Sequence, residues 1–209
     1  MAADILDAAL HVFGRRGYDN ASMRELAARA GCSPANLYHH YRSKYDIFVQ
    51  LVQRAMDLHL AGLREALAEH DDPVRQLRHV LVHHLLLHLE RPEVRLLRSD
   101  FHPLRGGDRQ RFIDRRDEYE RGVRAIVARA RELGLVEVED PKLAVMAALA
   151  ACTQVDSWYR PDGELASAEV ARRTADYLLA GFGVRQACPA VAGRTRPPVP
   201  GRPARDRSA

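Results

Sequence analysis

Residues 22–44 read SMRELAARAGCSPANLYHHYRSK, and this stretch decides the architecture. It holds three helix-start signals. Ser22 with Glu25 three residues on forms a capping box: the hydroxyl accepts from the Glu25 backbone N–H, and the carboxylate reaches back. Ser33-Pro34 sets a capping hydroxyl before a proline at the first helical position, where a missing N–H costs nothing. Ser43 with Asp46 repeats the logic and puts an acid in a first turn. Starts this close together describe short helices packed at steep angles, not one long helix.

The apolar spacing around the stretch agrees. Ile5, Ala8, Ala9, Val12 and Phe13 recur at helical period and make one buried stripe, closed by Gly17. Leu26, Ala27 and Ala30 face inward in the next helix, with Ala27 small where a helix must cross. Gly31 supplies the backbone freedom for the turn. Leu37 and Tyr41, four apart, point to the core, which leaves Ala35, Asn36, Tyr38 and His39 facing outward. This is a helix-turn-helix from about Ser22 to Tyr41, a unit that lays its second helix in the DNA major groove. Asn36 can pair bidentately with adenine, and Ala35 can touch a thymine methyl. Tyr38, His39 and Lys44 suit phosphate contacts, which position without specifying. Lys44 also lies in a first helical turn, where backbone N–H groups favour a phosphate.

The run AGCSPANLYHHYRSKYDIF resembles the signature of the TetR family of transcriptional regulators, roughly AGVSxGxLYxHFxSKxxLF, and the match extends from about Ile5 to Phe48. The resemblance implies an all-α homodimer of about nine helices, with an N-terminal DNA-binding domain and a larger C-terminal domain for a small molecule. It implies that ligand binding moves the fourth helix and releases double-stranded operator DNA. By position, Ser22, Arg24, Ser33, Ala35, Asn36, Tyr38, His39 and Lys44 take the DNA-contact roles. Cys32, Ala35 and Tyr41 replace the pattern's valine, glycine and phenylalanine. Ala35 bears on operator preference.

Composition sets the outer bounds. The 209 residues are 46% hydrophobic and 29% charged, as in an ordinary soluble protein with one or two domains. No apolar run approaches the ~20 residues of a membrane span. The opening MAADILDAAL has no basic n-region or cleavage motif, so no signal peptide and no membrane role is expected, and the location expected is cytoplasmic. Cys32, Cys152 and Cys188 form no metal or redox spacing. No nucleophile elbow, phosphate loop or HExxH occurs, so no enzyme and no cofactor is expected. Residues 184–209 carry six arginines and one aspartate, so of the chain's net +4 a charge of +5 sits in this Pro/Arg tail and the rest is near −1. DNA attraction then rests on local placement of Arg15, Arg16, Arg24, Arg29, Arg42 and Lys44. The tail, with five prolines, cannot pack a core and is expected to be disordered.

The domains expected are 1–48 for DNA binding, 49–183 for ligand binding and dimerisation, and 184–209 as tail. Helices are expected over about 43–70, 73–89, 93–99, 108–133, 140–159 and 167–183, with Arg105-Gly106-Gly107 in a loop. Residues 142–157 are rich in alanine, and 167–183 carry Val170, Ala171, Thr174, Leu178 and Phe182 at helical spacing. Two such helices pair with their copies as a four-helix dimer interface, where the family resemblance also places it. WYRPDG at 158–163 and the arginine-rich run containing RDEYE resemble a TetR subset responsive to acyl-CoA thioesters. An acyl-CoA needs an apolar tunnel and cations. Leu77, Leu81, Leu85, Leu96 and Phe101 can supply the first, and Arg95, Arg98, Arg105 and Arg116 the second. The plainer reading pairs these arginines with Asp114, Asp117, Glu118 and Glu120 on a solvated face. His79/His83 and His84/His88 stand at i,i+4, a spacing that can share Zn²⁺, but no carboxylate or cysteine completes a set and no metal is expected. The ligand pocket expected comprises Leu81, His84, His88, Phe101, Arg98 and Trp158. The function expected is an effector-released repressor, most readily of acyl-CoA or a related hydrophobic metabolite. The alternatives are an effector-free or metal-responsive regulator, and activation rather than repression.

Overall fold

The structure, a computed structural model, describes residues 2–96 and 103–184. Arg98, Phe101, Cys188 and the Pro/Arg tail beyond residue 184 lie outside the described residues. The element order is α1 (Ala2–Arg16), α2 (Met23–Arg29), α3 (Pro34–His40), α4 (Lys44–Glu69), α5 (Pro73–Glu90), α6 (Pro92–Arg95), α7 (Gly106–Glu132), α8 (Pro141–Thr153), a 3-10 turn at Val155–Ser157, and α9 (Ser167–Gly181). Among the described residues there is no strand, and no helix is long and apolar enough to cross a membrane.

The caps fall where local chemistry puts them. The hydroxyls of Ser22, Ser33 and Ser43 accept from the backbone N–H groups of Glu25, Asn36 and Asp46 at 3.3, 3.1 and 3.2 Å. Asp72 and Asp140 cap α5 and α8, each followed by proline at the first helical position. Gly31, at φ +67°, turns the chain between α2 and α3 in the left-handed region that a side chain resists.

Two boundaries of the longer helices differ from expectation. Gly106 and Gly107 open α7 instead of forming a loop, with Asp108 supplying the acidic first turn that favours a helix N-terminus. The α8 helix stops at Thr153, and the 3-10 turn is held by N–H bonds from Ser157 to Gln154 and from Tyr159 to Val155.

Among the described residues the main apolar core runs from the N-terminal unit into the body, and α4 is its spine. Its first turns place Ile47 and Phe48 against the α1 stripe of Ile5, Ala9, Val12 and Phe13, while Leu51, Met56, Leu60 and Leu63 continue into the body. The α5 helix is the hub of the body, packing on α4, α7, α8 and α9. Its approach to α4 requires Gly62: a Cβ there would lie 2.3 Å from the His83 ring.

Candidate DNA interface and effector cavity

Recognition helix α3 is anchored from inside. Leu37 is 0% exposed and Tyr41 is buried, which fixes the helix by about 1.5–3 kcal/mol for the leucine alone. Because one face is spent on the core, the opposite face must meet solvent. Ala35 and His39 are exposed, Tyr38 is 53% exposed and Asn36 is half-buried beside them. Ser22 and Arg24 lie exposed at the start of α2. Arg15, Arg29 and Arg42 are exposed on the same unit, and Arg16 is 3.3 Å from Glu25. Ser22 and Ser33 have their hydroxyl oxygens engaged as caps.

Lys44 is engaged within the unit. Its ammonium donates to the backbone carbonyls of Tyr18, Asp19 and Ala21 at 2.9, 2.9 and 3.0 Å and sits 4.6 Å above the Tyr18 ring. All three N–H donors of an ammonium are thereby engaged. Lys44 ties the loop after α1 to the start of α4. Tyr18 in turn packs on Phe13 and Phe48, with ring centroids 5.5 and 5.0 Å apart. One residue on, the Tyr45 hydroxyl donates to Asp108 at 2.9 Å and accepts from the Arg105 N–H at 3.1 Å, which joins the start of α4 to the start of α7.

A cavity of about 380 Å³ lies in the body between α4, α5, α7 and α8. Met56 and His59 come from α4, His84 and His88 from α5, Phe112, Arg116, Tyr119 and Glu120 from α7, and Met146, Leu149, Ala150 and Thr153 from α8. Its size and largely apolar walls fit a small-molecule site. Of the pocket residues expected from sequence, His84 and His88 line it, as does Arg116 among the expected cations. Leu81 does not: it is fully buried in the packing of α5 and forms core. Trp158 does not either. The 3-10 turn carries the chain outward after buried Val155, and the indole is 56% exposed.

The cavity's inner polar groups include three buried histidines. His59 Nδ1 donates to the Ala55 carbonyl at 2.8 Å. His84 lies between the Tyr119 hydroxyl (3.1 Å from Nδ1) and the Thr153 hydroxyl (3.3 Å from Nε2). Thr153 donates to the Leu149 carbonyl at 2.9 Å, so it accepts from the His84 Nε2–H, and Tyr119 donates to Nδ1. Burial holds His59 down to about 4 and His84 well below its ordinary value, so both rings are neutral at physiological pH. Burial likewise pushes the neighbouring Cys152 thiol up to about 12, which leaves no reactive thiolate.

Sequence spacing missed His59, Tyr119 and the α8 wall. Their shared position comes from helix packing, and only the i,i+4 relation of His84 and His88 was visible along the chain. Of the arginines offered as cations, Arg116 pairs with Asp117 as in the plainer reading; elsewhere on α7 Arg111 pairs with Asp108, Arg124 with Glu120, and Arg115 with Asp57 of α4.

A head with an outward recognition helix, joined by one long helix to an all-helical body around a cavity, defines a DNA-binding transcriptional regulator of the helix-turn-helix type. The chain belongs to the TetR family. Residues 5–51 match the model for bacterial regulatory proteins of the tetR family, and residues 70–182 match the tetracyclin repressor-like C-terminal domain. The chain is 42% identical over 74 residues to the HTH-type transcriptional activator FasR of Mycolicibacterium smegmatis, a match covering 35% of this chain and 34% of FasR. It thus spans about a third of the length of the curated relatives it first matches. The TetR family regulator PfmR from Thermus thermophilus aligns with a TM-score of 0.77 at 33% identity, covering 84% of this chain and 97% of PfmR. AibR in complex with isovaleryl coenzyme A and operator DNA aligns with a TM-score of 0.76 at 26% identity, covering 87% and 97%. The family is one of transcriptional regulators, not enzymes.

Proposed function

We propose that the chain is a cytoplasmic, homodimeric repressor released from its operator by a hydrophobic acyl thioester of the acyl-CoA class. The observation that carries this reading is the double membership of α4. The same helix gives Met56 and His59 to the cavity wall and Ile47 and Phe48 to the core beneath the recognition helix. A ligand in the cavity bears directly on the helix that positions α3. A volume of about 380 Å³ takes a short acyl group and its thioester, with the rest of the coenzyme leaving past Arg116. The likeness to AibR with isovaleryl coenzyme A points to the same chemical class.

In this reading Ser22, Arg24, Ser33, Ala35, Asn36, Tyr38 and His39 face the operator, with Asn36 and Ala35 reading bases. One short helix makes few contacts, so two heads about 34–36 Å apart are needed. Exposed apolar residues on α8 and α9, Leu143 at 63% and Tyr177 at 77% among them, give a second copy a face to cover.

Thermal shift of the full-length protein against acyl-CoAs and matched free acids tests the reading. A ligand at ~100 times its Kd adds about 2.7 kcal/mol. The shifting compound must also weaken operator binding, and by linkage operator must weaken the compound by the same factor. Operator affinity unchanged at saturating ligand would sink the switch.

A further inference from the structure

We propose that His59, His84 and His88 form a binding site for a divalent transition ion of the zinc class, with the ion's fourth coordination position open to the cavity. Each imidazole offers one ring nitrogen, and the three nitrogens lie within 4.8 Å of one another. Tetrahedral zinc with Zn–N of about 2.0–2.1 Å holds its nitrogens about 3.3–3.4 Å apart. Closing the triangle therefore takes side-chain movement only. His84 and His88, one turn apart on α5, stack with centroids at 4.9 Å and planes 16° apart. His59 closes the set from α4, edge-on at 4.7 Å from His84 and 5.7 Å from His88.

The donor set selects the ion. Three imidazoles suit zinc, copper or nickel, whereas magnesium and calcium require oxygen ligands. The surroundings orient these ligands as an outer shell does. The bond from His59 Nδ1 to the Ala55 carbonyl fixes the tautomer that leaves Nε2 with its lone pair. His84 sits between two hydroxyls, and a hydroxyl both donates and accepts. Either nitrogen of His84 can turn to the ion while the other donates to the hydroxyl that remains.

Three protein ligands leave one position, and the cavity is where it opens. If the acyl-thioester reading holds, the thioester carbonyl or an effector carboxylate fills that position; ion binding itself does not depend on that reading. The ion also bridges α4 to α5, so it stiffens the contact through which the cavity reaches the head.

The test is a titration of the chelator-treated full-length protein with Co²⁺, followed by visible absorption, with Zn²⁺ in competition. One ion per chain with the intense bands of four-coordinate cobalt is expected. His59→Gln and His88→Gln should each weaken binding by more than about tenfold, the lower end seen for disturbed outer-shell partners. His79→Gln should leave it unchanged. That control separates the surface groups in which His79 sits with Glu65 and His83, or with Glu69 and His70. No ion bound by the wild type, or binding lost in His79→Gln and kept in the other two, overturns the proposal. Should the glutamine variants not fold, zinc-edge X-ray absorption of the wild type decides: three imidazoles support the site, and two or fewer imidazoles with a carboxylate refute it. Cobalt bands untouched by acyl-CoA would keep the ion site and remove the acyl-CoA reading.

Discussion

The head and the cavity employ polar residues in opposite ways. On α3 the polar groups stand on the surface, displayed by a helix whose other face is buried at Leu37 and Tyr41. In the cavity they are drawn inward, and His84, Tyr119 and Thr153 from three helices hydrogen-bond to one another while His59 bonds to its own helix backbone. A surface reader is built by local rules and can be altered one side chain at a time. A buried polar cluster is a tertiary construction, in which each member's protonation and orientation depend on the rest.

The contrast is broken most forcefully at the head's anchor. Leu37→Ala should cost about 2–5 kcal/mol and abolish operator binding, while ligand binding in the body survives. Calorimetric unfolding with operator titration checks this, and a loss of cavity binding as well would show that the two regions do not act separately. Lys44→Met should cost about 1.5–3 kcal/mol, since its ammonium holds three carbonyls. The expected readout is a lower melting temperature without DNA; a variant of unchanged stability and weakened salt-dependent binding would return Lys44 to the phosphates.

Within the reading face, Asn36→Ala should lose about 1–3 kcal/mol of discrimination at one base pair, whereas Tyr38→Phe should weaken all sequences evenly. Equal changes in specificity, measured over an operator library, would dissolve that division.

The cavity has its own signature in pH. His59 is held to about 4 against its ordinary 6.5, and His84 shifts the same way. Their folded values lie below the unfolded ones, so as pH falls the unfolded chain binds protons first. Stability should be intact above pH 6.5 and drain toward pH 4, by up to about 1.4 kcal/mol per pH unit for each ring. Melting curves across that window check it, and His59→Gln should flatten the slope; an equal slope in the variant would remove His59 from the account. The smallest effect is expected at the joint between the regions. Tyr45→Phe removes the bond to Asp108 and should cost about 0.5–1.5 kcal/mol, with a larger change in the coupling between ligand and operator than in either affinity alone.

How much of this was legible along the chain follows from the same contrast. Caps at Ser22, Ser33 and Ser43, the turn at Gly31 and the inward pair Leu37 and Tyr41 are decided by neighbours within four residues, and the periodicity carried them. The hold of Lys44 on the loop after α1 was not legible because its partners lie more than twenty residues back. Leu81 and the His84/His88 pair share α5, and period alone cannot say which of two buried faces meets a cavity. Trp158 suggested a pocket by its chemistry, but a 3-10 turn after α8 put it in solvent. His59 had no local signal, since it matters only because α4 crosses α5.

The length of α4 gives the cavity mechanical advantage. From His59 to Lys44 the helix runs about 22 Å at about 1.5 Å per residue. A pivot of roughly 5° at the cavity end swings the far end by about 2 Å over that arm. Base-edge hydrogen bonds tolerate only a few tenths of an ångström. In the proposed dimer two such arms would swing together, so a displacement too small to disturb the body's packing would be enough to throw both heads out of step with the grooves.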